Sequence, residues 1–136
     1  MTLSFSHPFA KLPTYDAASG GAGAFGDLPE WDLSDLYTAP DAPELKADMA
    51  FVERECAAFA ADYEGKLADL DAAGMAKCIA RYEAIETAAG RIMSYAGLRY
   101  YQNTVDGEIA KFMADAQDKI TNFTTPLVFF SLEFNR

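Results

Sequence analysis

Apolar residues recur every three or four positions along most of the chain after residue 43, which is the spacing of one face of an α-helix. The longest segment with this spacing is 71–103, which contains no proline. Its apolar stripe consists of Met75, Cys78, Tyr82, Ile85, Ala89, Ile92 and Ala96. A continuous helix of this length would run about 50 Å. It therefore requires other helices packed along the stripe, and Asp71 is predicted to cap its first turn.

Three glycines, Gly74, Gly90 and Gly97, fall inside this helical pattern. Each costs roughly 1 kcal/mol relative to alanine in a helix interior. The small residues at 88–90 precede those at 95–97 by one heptad, so they could allow another backbone to approach closely. The alternative is a break near Gly90 that divides the segment into two helices. We expect one continuous helix.

The segment before it predicts a first long helix over 43–64. Its apolar positions follow a strict seven-residue repeat: Leu45, Met49, Val52, Cys56, Phe59 and Tyr63. Pro43 suits the first helical turn, and Asp41 is the predicted N-cap. Gly65 follows the last apolar position, where a left-handed residue commonly ends a helix.

A third long helix is predicted after the turn at 103–107, with Thr104 or Asp106 as its N-cap. Its apolar positions again alternate steps of four and three: Ile109, Met113, Ala116, Ile120, Phe123, Leu127, Phe130 and Phe134. Pro126 removes one backbone donor within this pattern, so a kink is expected at 124–126.

Three long helices with short connections predict an all-α fold, an up-down-up bundle. The residues expected in its core include Leu45, Val52, Phe59, Ile79, Ile85, Ile92, Ile120 and Phe123. The segment 28–40 is predicted to dock on the helices as a short turn, with Trp31, Leu33 and Leu36 packed against them. Residues 1–27 are rich in glycine and small residues, which predicts a flexible N-terminal leader, and the helical domain is predicted to span 28–136.

The last stretch, 127–134, is apolar nearly all round. Its apolar side chains are Leu127, Val128, Phe129, Phe130, Leu132 and Phe134. We expect nothing in the preceding helices to cover this surface, so another chain or a further part of the same protein should bury it. For the chain alone, this predicts a homodimer or higher oligomer with the segment after Pro126 at the interface.

The charge composition limits the classes of partner that the chain is expected to bind. The net charge is −10 and the sequence pI is about 4.4, so we expect no nucleic-acid partner and no anionic membrane surface. No apolar run is long enough for a transmembrane helix, and the N-terminus lacks the pattern of a signal peptide, which favours a cytoplasmic location. The two cysteines, Cys56 and Cys78, occupy apolar positions and are expected to be buried and reduced.

The sequence offers no candidate catalytic, cofactor-binding or metal-ligating residues. The only histidine is His7, beside a proline in the leader. A zinc site or a nucleophile activated by histidine requires imidazole among converging side chains, and the glycine-rich run at 20–26 lacks the residues of a phosphate-binding loop. The chain alone is therefore not expected to be an enzyme or to hold a cofactor.

The segment LPEWDLSDLY at 28–37 resembles the start of oligoendopeptidase F and its relatives, in the thimet-oligopeptidase-like group of zinc metallopeptidases. The pieces YEAI at 82–85, RIMSYA at 91–96 and FFSLEF at 129–134 are similar as well. The resemblance covers about 28–136. It implies the N-terminal helical domain of a cytoplasmic peptidase that cleaves short peptides in a deep cleft, with this domain as one wall.

In that family the zinc ligands lie on an HExxH helix in a C-terminal catalytic domain, and no such motif occurs here. The resemblance therefore transfers no catalytic or metal residue to this chain, and it implies zinc and peptide substrates only for the full-length enzyme. The alternative is a free-standing helical interaction module, dimeric through its last helix. An open reading frame that continues from Arg136 to an HExxH motif would favour the peptidase, and a stop codon the module.

Overall fold

The computed structural model describes residues 30–135. The predicted leader, 1–27, and His7 lie outside the described residues. The described part is all-α and contains no strand. Its helices are α1 (Pro43–Tyr63), α2 (Ala72–Gln102), α3 (Gly107–Thr124) and α4 (Val128–Phe134). Short 3-10 turns occupy Leu67–Asp69 and Thr125–Leu127.

The three long helices form the predicted up-down-up bundle. Phe59, near the end of α1, packs against Tyr82 in the first half of α2. Asp48, near the start of α1, pairs with Arg91 further along α2. The helices are therefore antiparallel. The turn after α2 reverses the chain again, so α3 runs parallel to α1 and packs on both of the other helices.

The helix ends explain why the chain turns where it does. Asp71 and Asp106 cap α2 and α3, and each carboxylate accepts hydrogen bonds from backbone N–H groups of the first turn. Gly65 follows α1 with a φ of 75°, the left-handed conformation predicted for it. The prediction for Asp41 was wrong. Ala42 is the N-cap of α1 and makes no side-chain capping bond, while Pro43 starts the helix as expected.

The core lies along the facing stripes of the helices. Six of the eight predicted core residues are buried: Leu45, Val52, Phe59, Ile85, Ile92 and Ile120. Phe123 and Ile79 are only partly buried. Cys78 is fully buried, so Ile79, about 100° further round the helix, points away from the centre of the core.

Helix α2 is continuous through Gly90, as predicted, and spans 31 residues. The idea that small residues there allow a close helix approach was wrong at Gly90. That position is exposed, and a Cβ added to it would meet no atom within 4 Å. The expected kink is present: Pro126 lies in the 3-10 turn that separates α3 from α4.

The segment before α1 docks on the bundle, but through a different aromatic residue than predicted. Tyr37 is buried at 2% exposure, whereas Trp31 is 63% exposed. Leu33 and Leu36 pack against the core as partly buried residues, as expected. Within residues 30–135, no helix combines the length and the apolar character needed to span a bilayer.

Candidate functional site

The C-terminal apolar segment is the surface for which the sequence predicts a partner. The kink at Pro126 folds α4 back over the end of the bundle where α1 and α2 are joined. There Glu133 accepts a hydrogen bond from the backbone N–H of Gly65, with 2.7 Å between nitrogen and Oε1. This bond fixes α4 against the α1–α2 connection.

One side of the segment is covered by the bundle itself. Phe129 is buried and packs 5.9 Å from the ring of Phe59, centroid to centroid. Phe130 stacks on Tyr82 at 4.4 Å and meets Phe59 edge-on at 5.6 Å. Leu127 is also buried. The expectation that no residue of the preceding helices could cover this segment was therefore wrong for these three side chains, because the kink returns them to the core.

The other side of the segment faces outward. Val128, Leu132 and Phe134 are 60%, 63% and 55% exposed. Val128 and Leu132 are one helical turn apart, so they lie on the same side of α4. We define Val128 and Leu132 as the α4 face. Phe134 lies about 200° round the helix from Leu132, and its ring packs 5.7 Å from that of Phe130. The described residues leave the α4 face uncovered, and contiguous exposed apolar surface is where interfaces commonly form.

A second exposed apolar set lies at the opposite end of α2. Trp31, Tyr101 and Val105 are 63%, 71% and 92% exposed. The side chain of Gln102 donates a hydrogen bond of 2.8 Å to the carbonyl of Trp31, which ties the start of the described segment to the last turn of α2. Sequence reasoning missed this surface because it expected Trp31 to pack against the helices.

A polar cluster explains why Tyr37 is the aromatic anchor. Its hydroxyl donates a hydrogen bond to the carboxylate of Asp48 on α1. The guanidinium of Arg91 on α2 lies over the Tyr37 ring and 3.5 Å from the same carboxylate. Arg91 also donates to the carbonyl of Leu36. Burial and the bond to Asp48 hold the pKa of Tyr37 well above its usual value. The cluster fixes the segment before α1 to two helices at once.

A second cluster joins α1 to α2 near their connection. Arg81 donates to Glu55 at 3.1 Å and to Asp62 at 2.6 Å. The bond to Asp62 raises the pKa of Arg81 further, so the guanidinium is charged under all ordinary conditions. Arg81 lies on α2 and both of its carboxylate partners lie on α1, so this cluster connects the two helices.

Both cysteines are buried as predicted, and neither forms a disulfide. Burial, with nearby Glu86, raises the pKa of the Cys56 thiol to about 11. Burial also raises the pKa of Cys78. Since a thiolate is the reactive species, these environments suppress nucleophilic chemistry at both positions.

The resemblance implies zinc only for the full-length enzyme, with its ligands outside this chain. In the part of the chain that the structure describes, no group of three His, Cys, Asp or Glu side chains is placed to hold a metal ion. The carboxylates of Asp48, Glu55 and Asp62 form ion pairs with arginine.

No protein-family model matches the chain, and no curated protein or solved structure does either.

Proposed function

We propose that this chain is the N-terminal helical domain of an oligoendopeptidase F-like zinc metallopeptidase, a cytoplasmic enzyme that hydrolyses short peptides. The sequence similarity at 28–37, 82–85, 91–96 and 129–134 supports the family. The α4 face carries the structural argument. The bundle buries a continuous core without these side chains, and they are available to pack on the catalytic domain.

In this proposal the bundle forms one wall of the substrate cleft and limits which peptides enter. Zinc and the catalytic residues belong to the C-terminal domain of the parent protein, so the 136-residue chain binds no zinc and cleaves no peptide. Metal analysis after dialysis, together with a quenched fluorescent peptide assay, tests this part. One retained equivalent of zinc or chelator-sensitive turnover would contradict it.

The α4 face is tested in the longer protein by Leu132→Asp. A charge placed in a buried domain contact should lower the thermal stability of the protein and reduce peptide hydrolysis. Ser131→Asp is the matched control, since it places the same charge on the neighbouring exposed position of α4. Equal effects of the two substitutions would argue against a domain contact at Leu132.

The alternative function is a free-standing interaction module that forms a homodimer through the same α4 face. Each large apolar side chain that moves from water into an interface contributes roughly 1.5–3 kcal/mol, and a two-fold contact lets one surface cover its own copy. Sedimentation over a range of concentrations should then show a dimer that Leu132→Asp dissociates and Ser131→Asp does not. Phe130→Asp is unsuitable here because Phe130 stacks on Tyr82 within the bundle.

The coding sequence beyond Arg136 separates the two functions. An open frame that reaches an HExxH motif supports the peptidase domain, and a stop codon supports the module.

A further inference from the structure

A cleft of about 200 Å³ lies between the first half of α1 and the middle of α3. Leu45 and Ala116 lie at its floor and are buried, while Met49 and Phe112 line it as partly buried side chains. The ring of Phe112 meets the buried Tyr95 edge-on at 6.1 Å. The core therefore fixes the shape of the apolar lining.

The rim of the cleft carries more positive than negative charge. Lys46 on α1 and Lys119 on α3 both line it, with Asp115 one turn before Lys119. Two positive charges and one negative charge give a local balance of +1, in a chain whose net charge is −10. The charge at the rim of the cleft is therefore opposite in sign to the net charge of the molecule.

The two lysines also differ from the arginines of the bundle in their partners. Arg54, Arg81 and Arg91 form ion pairs with carboxylates. Within residues 30–135, neither Lys46 nor Lys119 forms such a pair. Their ammonium groups are exposed and can meet an anion that enters the cleft.

Size and chemistry together define the occupant. Sites for drug-sized ligands usually exceed about 300 Å³, so this cleft suits one apolar side chain and its attached charged group. An apolar floor favours an aromatic or branched aliphatic group, and the lysines favour a carboxylate.

We propose that this cleft binds the carboxylate of a small apolar acid, with the apolar group on Leu45 and Ala116 and the carboxylate between Lys46 and Lys119. Both the C-terminal residue of a peptide and a free aryl-alkyl acid have this chemistry. The proposal is independent of the peptidase assignment, because none of the lining residues belongs to α4 or to the side chains on which it packs.

The test is a titration of the full ¹⁵N-labelled chain, followed by the shifts of its backbone amides in NMR spectra. The two acidic probes are N-acetyl-leucyl-phenylalanine, which represents a peptide end, and 3-phenylpropionate, which represents a free acid. N-acetyl-leucyl-phenylalanine amide is the neutral control. We expect saturable shifts at Lys46, Met49, Phe112 and Lys119, with a dissociation constant on the order of 1 mM. The acid that binds with the lower dissociation constant shows whether the ligand is a peptide C-terminus or a free acid.

The lysines are tested by Lys46→Met and Lys119→Met, which keep most of the apolar stem and remove the charge. Each should weaken the binding of the acids by about two- to fivefold, the range of an exposed charge pair. Lys77→Met is the matched control, since Lys77 is exposed on α2 and does not line the cleft. Added salt should weaken binding of the acids and leave the amide unaffected.

Three results would overturn the proposal: equal affinity for the acid and its amide, shifts that centre elsewhere on the bundle, or no saturable shift with either acid. Circular dichroism of each variant establishes that it is folded, so that a loss of binding reports on the cleft.

Discussion

The guanidinium of Arg91 lies 4.5 Å from the centroid of the Tyr37 ring, and the hydroxyl of Tyr37 donates to the carboxylate that Arg91 also approaches. This relationship joins the segment before α1 to both α1 and α2. The hydroxyl of Tyr37 therefore has a hydrogen-bond partner. The ring of Tyr95 packs edge-on against the ring of Tyr37, with 5.4 Å between the centroids, but its hydroxyl differs in this respect. The buried hydroxyl of Tyr95 has no hydrogen-bond partner among the described residues.

We expect Tyr37→Phe to lower the free energy of unfolding by about 1–2 kcal/mol, because it removes a hydrogen bond to a charged acceptor and leaves the ring in place. Tyr95→Phe is the matched control. It removes a hydroxyl that has no partner in the bundle, so stability should be unchanged or slightly higher. Urea unfolding of both variants measures the difference. Equal losses would show that the bond to Asp48 contributes nothing specific.

Alkaline pH should destabilise the bundle through its buried tyrosines. Burial and the bond to Asp48 raise the pKa of Tyr37 above its usual 10.0, and burial also raises the pKa of Tyr82 and Tyr95. The unfolded chain releases these protons near pH 10 while the folded chain retains them. The stability that they contribute is therefore fully present below about pH 10 and is lost as the pH rises further.

Urea unfolding between about pH 9 and pH 11 checks this dependence. The decline should be shallower in Tyr37→Phe than in the wild type. Tyr101→Phe serves as the control because Tyr101 is 71% exposed. A decline of the same slope in Tyr37→Phe and the wild type would contradict the prediction for Tyr37.

Two glycines should respond to alanine in opposite directions. Gly90→Ala should raise the free energy of unfolding by about 0.5–1 kcal/mol, because the position is an exposed helix interior with room for a Cβ. Gly65→Ala should lower it by about 1 kcal/mol, because the φ of 75° is strained for an L-residue. Thermal or urea unfolding measures both. A destabilising Gly90→Ala would mean that α2 is not regular at that position.

The cysteines should resist thiol reagents in the folded protein. Both side chains are fully buried, and burial raises the pKa of Cys56 to about 11 and that of Cys78 above its usual value. Reaction with Ellman's reagent should therefore be slow in buffer and become rapid when urea unfolds the bundle. An exposed cysteine introduced as Ser131→Cys is the positive control. Rapid labelling of Cys56 in buffer would contradict its burial.

The fold follows from the sequence because its determinants are local and repeated. Steps of three and four residues place Val52, Phe59 and Ile92 on facing stripes, and Asp71, Asp106 and Gly65 mark helix ends through their own backbone chemistry. The same spacing placed Cys78 on the apolar stripe of α2 and predicted its burial, which the structure confirms. Ile79 lies one position off that stripe and is only partly buried, so its inclusion in the predicted core was wrong.

The features that sequence reasoning missed depend on residues far apart in the chain. Trp31 has the larger apolar ring, so burial area alone favours it as the anchor. Tyr37 is buried instead because Asp48 and Arg91 converge on it from two helices. The cleft with Lys46 and Lys119 is equally non-local, since its two walls are separated by most of the chain. Val128, Leu132 and Phe134 are exposed as expected, but Leu127, Phe129 and Phe130 were wrongly expected to be uncovered. The angle of the kink at Pro126 decides which of these side chains return to the core.

The hydrogen bond between Gly65 and Glu133 joins residues that are 68 positions apart, whereas the contacts between α1 and α2 close a much shorter loop. Local contacts form early in folding and distant ones late. We therefore expect the α1–α2 hairpin to be structured in the transition state for folding and α4 to dock afterwards. Glu133→Ala, which removes the acceptor, should then accelerate unfolding while leaving the folding rate nearly unchanged. Docking of α4 would therefore lengthen the lifetime of the folded bundle by slowing its unfolding, with little influence on its folding rate.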